Sequence, residues 1–209
     1  MDDQPGSLPL DDRLGLAADP DTDRDTAAML AADPDPAVRS ELAVNCRHAD
    51  VLKVLSHDAD PNVVWELCSY NRRIPAEILL RIVAAPPLDV PAEIAVKWAA
   101  VNPGATAEVL AAVANHPAAA GPDGEELRHR VAIHPNAGDD TLRLIKAQGG
   151  ITGELAEARL PDTSPARLTQ LAEAVAHGQH FRLLKYPFLE ANPNTPPVAL
   201  VLLDRDRRN

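Results

Sequence analysis

Residues 191–200, Ala191-Asn192-Pro193-Asn194-Thr195-Pro196-Pro197-Val198-Ala199-Leu200, put an asparagine at the end of one short apolar segment and a leucine eight residues later inside the next. The same frame fits Asn102 with Leu110 and Asn71 with Leu79. His134 with Leu142 and Leu160 with Leu168 keep it on a different anchor, and Asn45 keeps it with the leucine one residue early, at Leu52. Asp19, in Ala18-Asp19-Pro20-Asp21, is the weakest copy. Anchors at 19, 45, 71, 102, 134, 160 and 192 lie 26, 26, 31, 32, 26 and 32 residues apart. Self-similarity at a period of roughly 20 to 50 residues marks a solenoid or a propeller.

The segments around the anchors decide between helices and strands. Val38 and Leu42, Val64 and Cys68, and Leu127 and Val131 are each spaced by four, which suits one stripe of a helix and not a period-two strand. After each anchor comes a second helical segment, such as residues 76–83, 107–113 or 166–174. Each repeat is therefore expected to be a pair of short helices. Asp35-Pro36, Asp60-Pro61, Ser164-Pro165 and Thr195-Pro196 read as helix starts: the polar side chain accepts from the free N–H groups of the first turn, and proline fits the first helical position. Most of the 20 prolines are then helix punctuation.

Asn192-Pro193-Asn194-Thr195-Pro196-Pro197 with the apolar residues after it, and Ala32-Asp33-Pro34-Asp35-Pro36-Ala37-Val38-Arg39, resemble the variant leucine-rich repeat, a bacterial helical repeat similar in style to the HEAT and armadillo families. The resemblance covers residues 16–203. It implies an all-α fold, an α-solenoid in which paired short helices form a right-handed superhelix of about six to seven degenerate repeats. One member of that family carries an iron–sulfur cluster on a cysteine-rich N-terminal segment. This chain has no such segment, so no cofactor is implied. Residues 1–13 are read as a disordered acidic leader, 14–203 as a single array and 204–209 as a charged tail. Pro117–Gly124 and Gln148-Gly149-Gly150 are read as insertions that lengthen turns.

Aromatic residues make up 3% of the chain, so packing is expected to rest on Ala, Leu and Val. The net charge of −11 is uneven: residues 1–60 hold 14 Asp/Glu against 5 Lys/Arg, the rest 17 against 15. An acidic balance makes nucleic acid an unlikely partner, because phosphate-backbone binding needs clustered positive charge. No apolar run reaches the length of a membrane span, and residues 1–6 lack the basic and apolar parts of a signal peptide; a cytoplasmic protein is expected. Cys46 and Cys68, 22 residues apart, form no CxxC pair, so no metal is expected, and Cys68, at the apolar position shared by Leu42 and Val131, is read as a buried thiol.

Function is sought on columns that stack from repeat to repeat. Six residues before the anchors the column reads Arg39, Trp65, Val96, Arg128, expected on an exposed ribbon, with Arg72 and Arg73 beside it. Arg and Trp are enriched at interface hot spots. The reading is a non-catalytic scaffold that binds a protein or peptide through Arg39, Trp65, Arg72, Arg73 and Arg128. The alternative is a helical-repeat enzyme or nucleic-acid-binding module of the HEAT-like DNA glycosylase type. The segment 177–188, with His177, His180, Phe181, Tyr186 and Phe188, is read chiefly as gap filling in a degenerate repeat. Residues 196–203 are apolar on every side, and a helix of that kind must be covered. Val198, Leu200, Val201 and Leu202 are accordingly expected to mediate self-association as a homodimer.

Overall fold

Among the residues described by the computed structural model, 8–86, 90–177 and 187–206, the chain forms fourteen α-helices and no strand. It divides into two compact units, Met1–Ala118 and Ala119–Asn209. The first unit holds α1 (Leu10–Ala18), α2 (Arg24–Leu30), α3 (Pro36–Asn45), α4 (Ala49–Leu55), α5 (Pro61–Tyr70), α6 (Ala76–Ala84), α7 (Ala92–Val101) and α8 (Ala107–Asn115). The second holds α9 (Glu125–Ile133), α10 (Asp139–Gln148), α11 (Gly150–Arg159), α12 (Pro165–Ala176), α13 (Phe188–Ala191) and α14 (Pro197–Asp206). α1 begins inside the segment assigned to a leader, and α14 runs on into the segment assigned to a tail. Residues 1–7 and 207–209 of those two segments lie outside the described residues.

Within the first unit α1, α3, α5 and α7 pack in succession, while α2 packs on α4 and α6 on α8. Within the second, α9, α11 and α13 pack in succession and α12 packs on α14. The buried side chains are those expected of short, closely approaching helices: Leu42, Leu52, Leu67 and Leu79 among the large ones, Ala43, Ala95, Ala99 and Ala156 among the small ones, with Cys68 fully buried on the stripe of Val64. Apolar burial of this kind is worth about 25 cal/mol per Å².

The anchors are the residues that end the first helix of each pair. Asp19, Asn71, Asn102, His134, Leu160 and Asn192 are all C-caps with extended backbone. In the second pair this residue is Cys46, and Asn45 is still helical. Its side chain folds back on the Glu41 carbonyl at 2.9 Å, which corrects the anchor by one residue.

The asparagines are chosen for their hydrogen-bonding capacity. A helix ends with carbonyls that have no partner in the helix, and burial makes each one costly. Asn71 Nδ2 donates to the carbonyls of Ala43 (2.8 Å) and Cys46 (2.9 Å) at the end of α3, while its Oδ1 accepts the N–H of Arg73 (2.8 Å). Asn102 does the same one pair later, to Cys68 O (2.8 Å) and Asn71 O (3.1 Å), with Gly104 N–H on its Oδ1 (2.7 Å). Asn192 repeats it on Ala158 O and Leu160 O, both 2.8 Å. Where the cap is His134, its Nδ1 takes the Asn136 N–H (3.1 Å). Where the cap is Leu160, the neighbouring Arg159 donates instead to Ala132 O (2.6 Å) and His134 O (2.8 Å).

A second set of links joins helix ends in the first unit. Asp33 accepts from Arg13 and from the Asp35 N–H (2.9 Å); Asp58 accepts from Arg39 and from the Asp60 N–H (2.8 Å). In each case the Asp two residues further on, Asp35 or Asp60, caps the following helix, with proline in its first turn. Ser164-Pro165 caps α12 as expected, but Thr195 does not serve as a capping acceptor: its hydroxyl donates to the Leu189 carbonyl, and α14 begins at Pro197.

Two stability predictions test these links. Asn102→Ala takes the amide donor from the Cys68 carbonyl and leaves the Asn71 carbonyl with only the long Ile74 N–H bond (3.4 Å), and should cost about 1–3 kcal/mol in urea unfolding. Asn115→Ala, whose amide meets only the exposed end of α8, should cost well under 1 kcal/mol. Arg39→Met removes the partner of Asp58, whose side chain is 7% exposed, at a cost of about 3 kcal/mol near neutral pH. Burial alone would raise the Asp58 carboxyl, but the Arg39 hydrogen bond and the Asp60 N–H outweigh it and hold it below its usual range. A depressed carboxyl stabilises above its unfolded value, about 3.9, and that stability is lost as pH falls through the folded value. The difference in urea midpoint between Arg39→Met and the parent chain should therefore shrink progressively as pH falls below about 3.9.

Candidate functional site

The arginine ribbon expected from the sequence is not an exposed ribbon. Arg39 is half-buried, with Nε and Nη2 on the Asp58 carboxylate (2.7 and 2.9 Å) and Nη1 on the Asp33 carbonyl (2.7 Å). Arg128 is 7% exposed; it donates to the carbonyls of Ala119 and Gly121 and pairs with Glu125. The stretch read as an insertion is thus folded onto its guanidinium. Val96 in the same column is fully buried. The residues one position before this column, Val38, Val64, Ala95 and Leu127, are buried too, so consecutive positions of these helices are covered and the column beside the core stripe is not left open.

Of the other residues singled out, Trp65 lies within α5 and Arg72 and Arg73 follow its C-cap. Trp65 is half-buried and meets Tyr70 edge to face, with ring centroids 5.6 Å apart; Tyr70 is 50% exposed. Arg72 and Arg73 follow on the exposed turn. The turn backbone is fixed from below. Asn71 holds the Arg73 N–H, Asn102 holds the Asn71 carbonyl, and Gly104 lies so close that a Cβ there would stand 2.2 Å from the Arg72 oxygen. Two exposed arginines thus follow an exposed tyrosine closely in the chain, on a backbone fixed by Asn71 and Asn102. Tyr70 was missed because it falls between columns. The signal lay in its place immediately before the C-cap, which is exposed or half-exposed at every anchor of both units.

The chemistry elsewhere is quiet. Burial pushes the Cys68 thiol up to about 12 and raises Cys46 as well, so neither thiol offers a thiolate near neutral pH. Among the described residues no group of three or more His, Cys, Asp or Glu is placed to hold a metal ion, and no helix is long and apolar enough to cross a membrane. His177 is exposed and near the Glu173 carbonyl; His180, Phe181 and Tyr186 lie outside the described residues. Phe188 receives the Arg159 guanidinium over its ring at 5.0 Å.

On α14 the apolar residues separate into two faces. Ala199 and Leu203 are buried, on the helix that packs against α12, while Val198, Leu200 and Val201 are 57, 40 and 67% exposed. Leu202 is half-buried and belongs to neither face fully.

No family model, no curated protein and no solved structure matches the chain.

Proposed function

We propose that the protein is a non-catalytic helical-repeat scaffold of the variant leucine-rich type, its helix pairs stacked as an α-solenoid, which binds a protein or peptide segment at the turn between α5 and α6. The observation that carries this reading is the Trp65–Tyr70 edge-to-face pair beside exposed Arg72 and Arg73. Aromatic faces supply contact area at low entropy cost, and a guanidinium recognises a carboxylate with two parallel hydrogen bonds. The partner chemistry that fits is an Asp or Glu next to an apolar residue. The repeat reading is supported by the recurrence of one C-cap arrangement, an Asn amide bridging two carbonyls of the preceding cap, in both units.

Peptides selected by display on the full-length protein should be enriched in such acidic–apolar pairs. Their affinity should fall at least tenfold, about 1.4 kcal/mol, in Arg72→Glu/Arg73→Glu, with the unfolding midpoint nearly unchanged. Selected peptides that bind this variant as tightly as the parent chain would remove the site.

A second copy of the chain is the partner proposed for the open face of α14. Equilibrium sedimentation should give twice the chain mass at tens of micromolar, and Val198→Glu/Val201→Glu should give the mass of one chain. A single-chain mass for the parent at that concentration would overturn the proposal.

A further inference from the structure

The second unit contains a charged groove that neither the repeat frame nor the peptide-binding reading uses. It opens where α10 meets α11. Gly149 (φ 75°) and Gly150 (φ 69°) both occupy the left-handed region, which glycine enters without a steric penalty. They let α11 begin directly after α10, so the stretch read as an insertion is a two-residue hinge. From that hinge α11 presents Gly150, Gly153, Glu154 and Glu157 along one face, at helical neighbour spacing. Two of these four have no side chain, and the floor of the groove is therefore backbone. A Cβ at Gly153 would stand 3.1 Å from the Lys146 carbonyl, which shows how closely α10 approaches.

The resulting cavity is about 410 Å³, within the size range of small-molecule sites. Its walls alternate in charge. The Glu157 carboxylate lies between Lys146 Nζ and Arg167 Nε, both at 2.9 Å, and Arg167 Nη2 reaches Glu154 at 3.2 Å. These groups are shielded unequally: the Glu157 side chain is 13% exposed, Glu154 27%, Arg167 34% and Lys146 44%. Burial would raise the Glu157 carboxyl, but Lys146 and Arg167 together hold it below its usual range, so it is an anion near neutral pH.

Four charges that sum to zero inside one cavity discriminate by charge pattern. A simple anion is drawn to Lys146 and Arg167 but meets two carboxylates. A simple cation is drawn to Glu154 and Glu157 but meets two cations. A molecule with one charge of each sign satisfies both pairs. Lys146 has three ammonium protons and Arg167 five guanidinium protons, more than their paired carboxylates require. Ile151, 39% exposed, gives the groove an apolar edge.

We propose that the groove formed by α10, α11 and Arg167 of α12 binds a small zwitterion of the amino-acid or dipeptide class. The ligand carboxylate takes the remaining donors of Lys146 and Arg167, and the ligand ammonium pairs with Glu154. Ile151 sets the room for a short apolar side chain.

The test is a titration of the ¹⁵N-labelled full-length protein, following the backbone amides of Gly149, Gly150 and Gly153. The probes are L-alanine, the dipeptide Ala-Ala, acetate and ethylammonium, at constant ionic strength. At least one zwitterion should shift these amides saturably, with acetate and ethylammonium at least tenfold weaker. Glu154→Gln should weaken the zwitterion at least tenfold. Ile151→Trp, an uncharged bulky change at the exposed edge that obstructs the groove and adds no partner for Glu154, should do the same and serves if Glu154→Gln loses its dispersed spectrum. No saturable shift with either zwitterion, or equal shifts with acetate, would overturn the proposal. Because these amides lie in the second unit, the result is independent of peptide binding at Arg72 and Arg73.

Discussion

Each first helix of a pair ends with carbonyls that the chain buries, and the structure depends on how those carbonyls are satisfied. A primary amide is well suited to the task, because it has two donors for two carbonyls and an acceptor left for the N–H of its own turn. Asn71, Asn102 and Asn192 use all three. The two Nδ2 bonds reach back to the end of an earlier helix while the Oδ1 bond closes the local turn, so one side chain acts on tertiary packing and on its own turn. Where the amide is absent the need persists. Arg159 supplies the donors from one residue earlier, at the cost of burying a guanidinium, whose pKa burial lowers.

The same economy explains the acidity of the first 60 residues. Asp23, Asp35 and Asp60 accept from the first turns of α2, α3 and α5, and Asp33 and Asp58 clamp Arg13 and Arg39 while closing their own turns. An aspartate at these places satisfies N–H groups that would otherwise lack partners. Much of the negative charge is therefore architectural, and a basic partner is not required to account for it. The corollary is that Arg39 and Arg128 are already engaged inside the protein, which leaves fewer cations for a phosphate backbone than the composition suggests.

Rigid backbone and exposed chemistry coincide at few places. The α5–α6 turn is one, because two asparagines and the close approach of Gly104 pin it while its side chains project outward. The α10–α11 hinge is another, because consecutive glycines hold the two helices close and leave a cavity between charged side chains. Residues whose side chains are already engaged in packing helix on helix are poor candidates for binding, even when they are arginines.

The helices and most of their ends were legible in the sequence, since spacing by four, Asp-Pro starts and a recurring anchor are local signals that a helix needs wherever it packs. The anchor at Asn45 was misplaced by one because Cys46 and Asn45 are both compatible with a helix end and only the bonds from Asn71 distinguish them. The site was less legible. Arg72 and Arg73 could be named, but Arg39 and Arg128 were taken for surface groups, because a sequence does not show which carbonyls or carboxylates lie within reach of a guanidinium. The charge quartet of Lys146, Glu154, Glu157 and Arg167 draws on three helices and left no pattern to read. Local hydrogen-bonding needs are written residue by residue and so determine the elements. Which polar groups meet across elements depends on the packed geometry, and only the tertiary structure decided that.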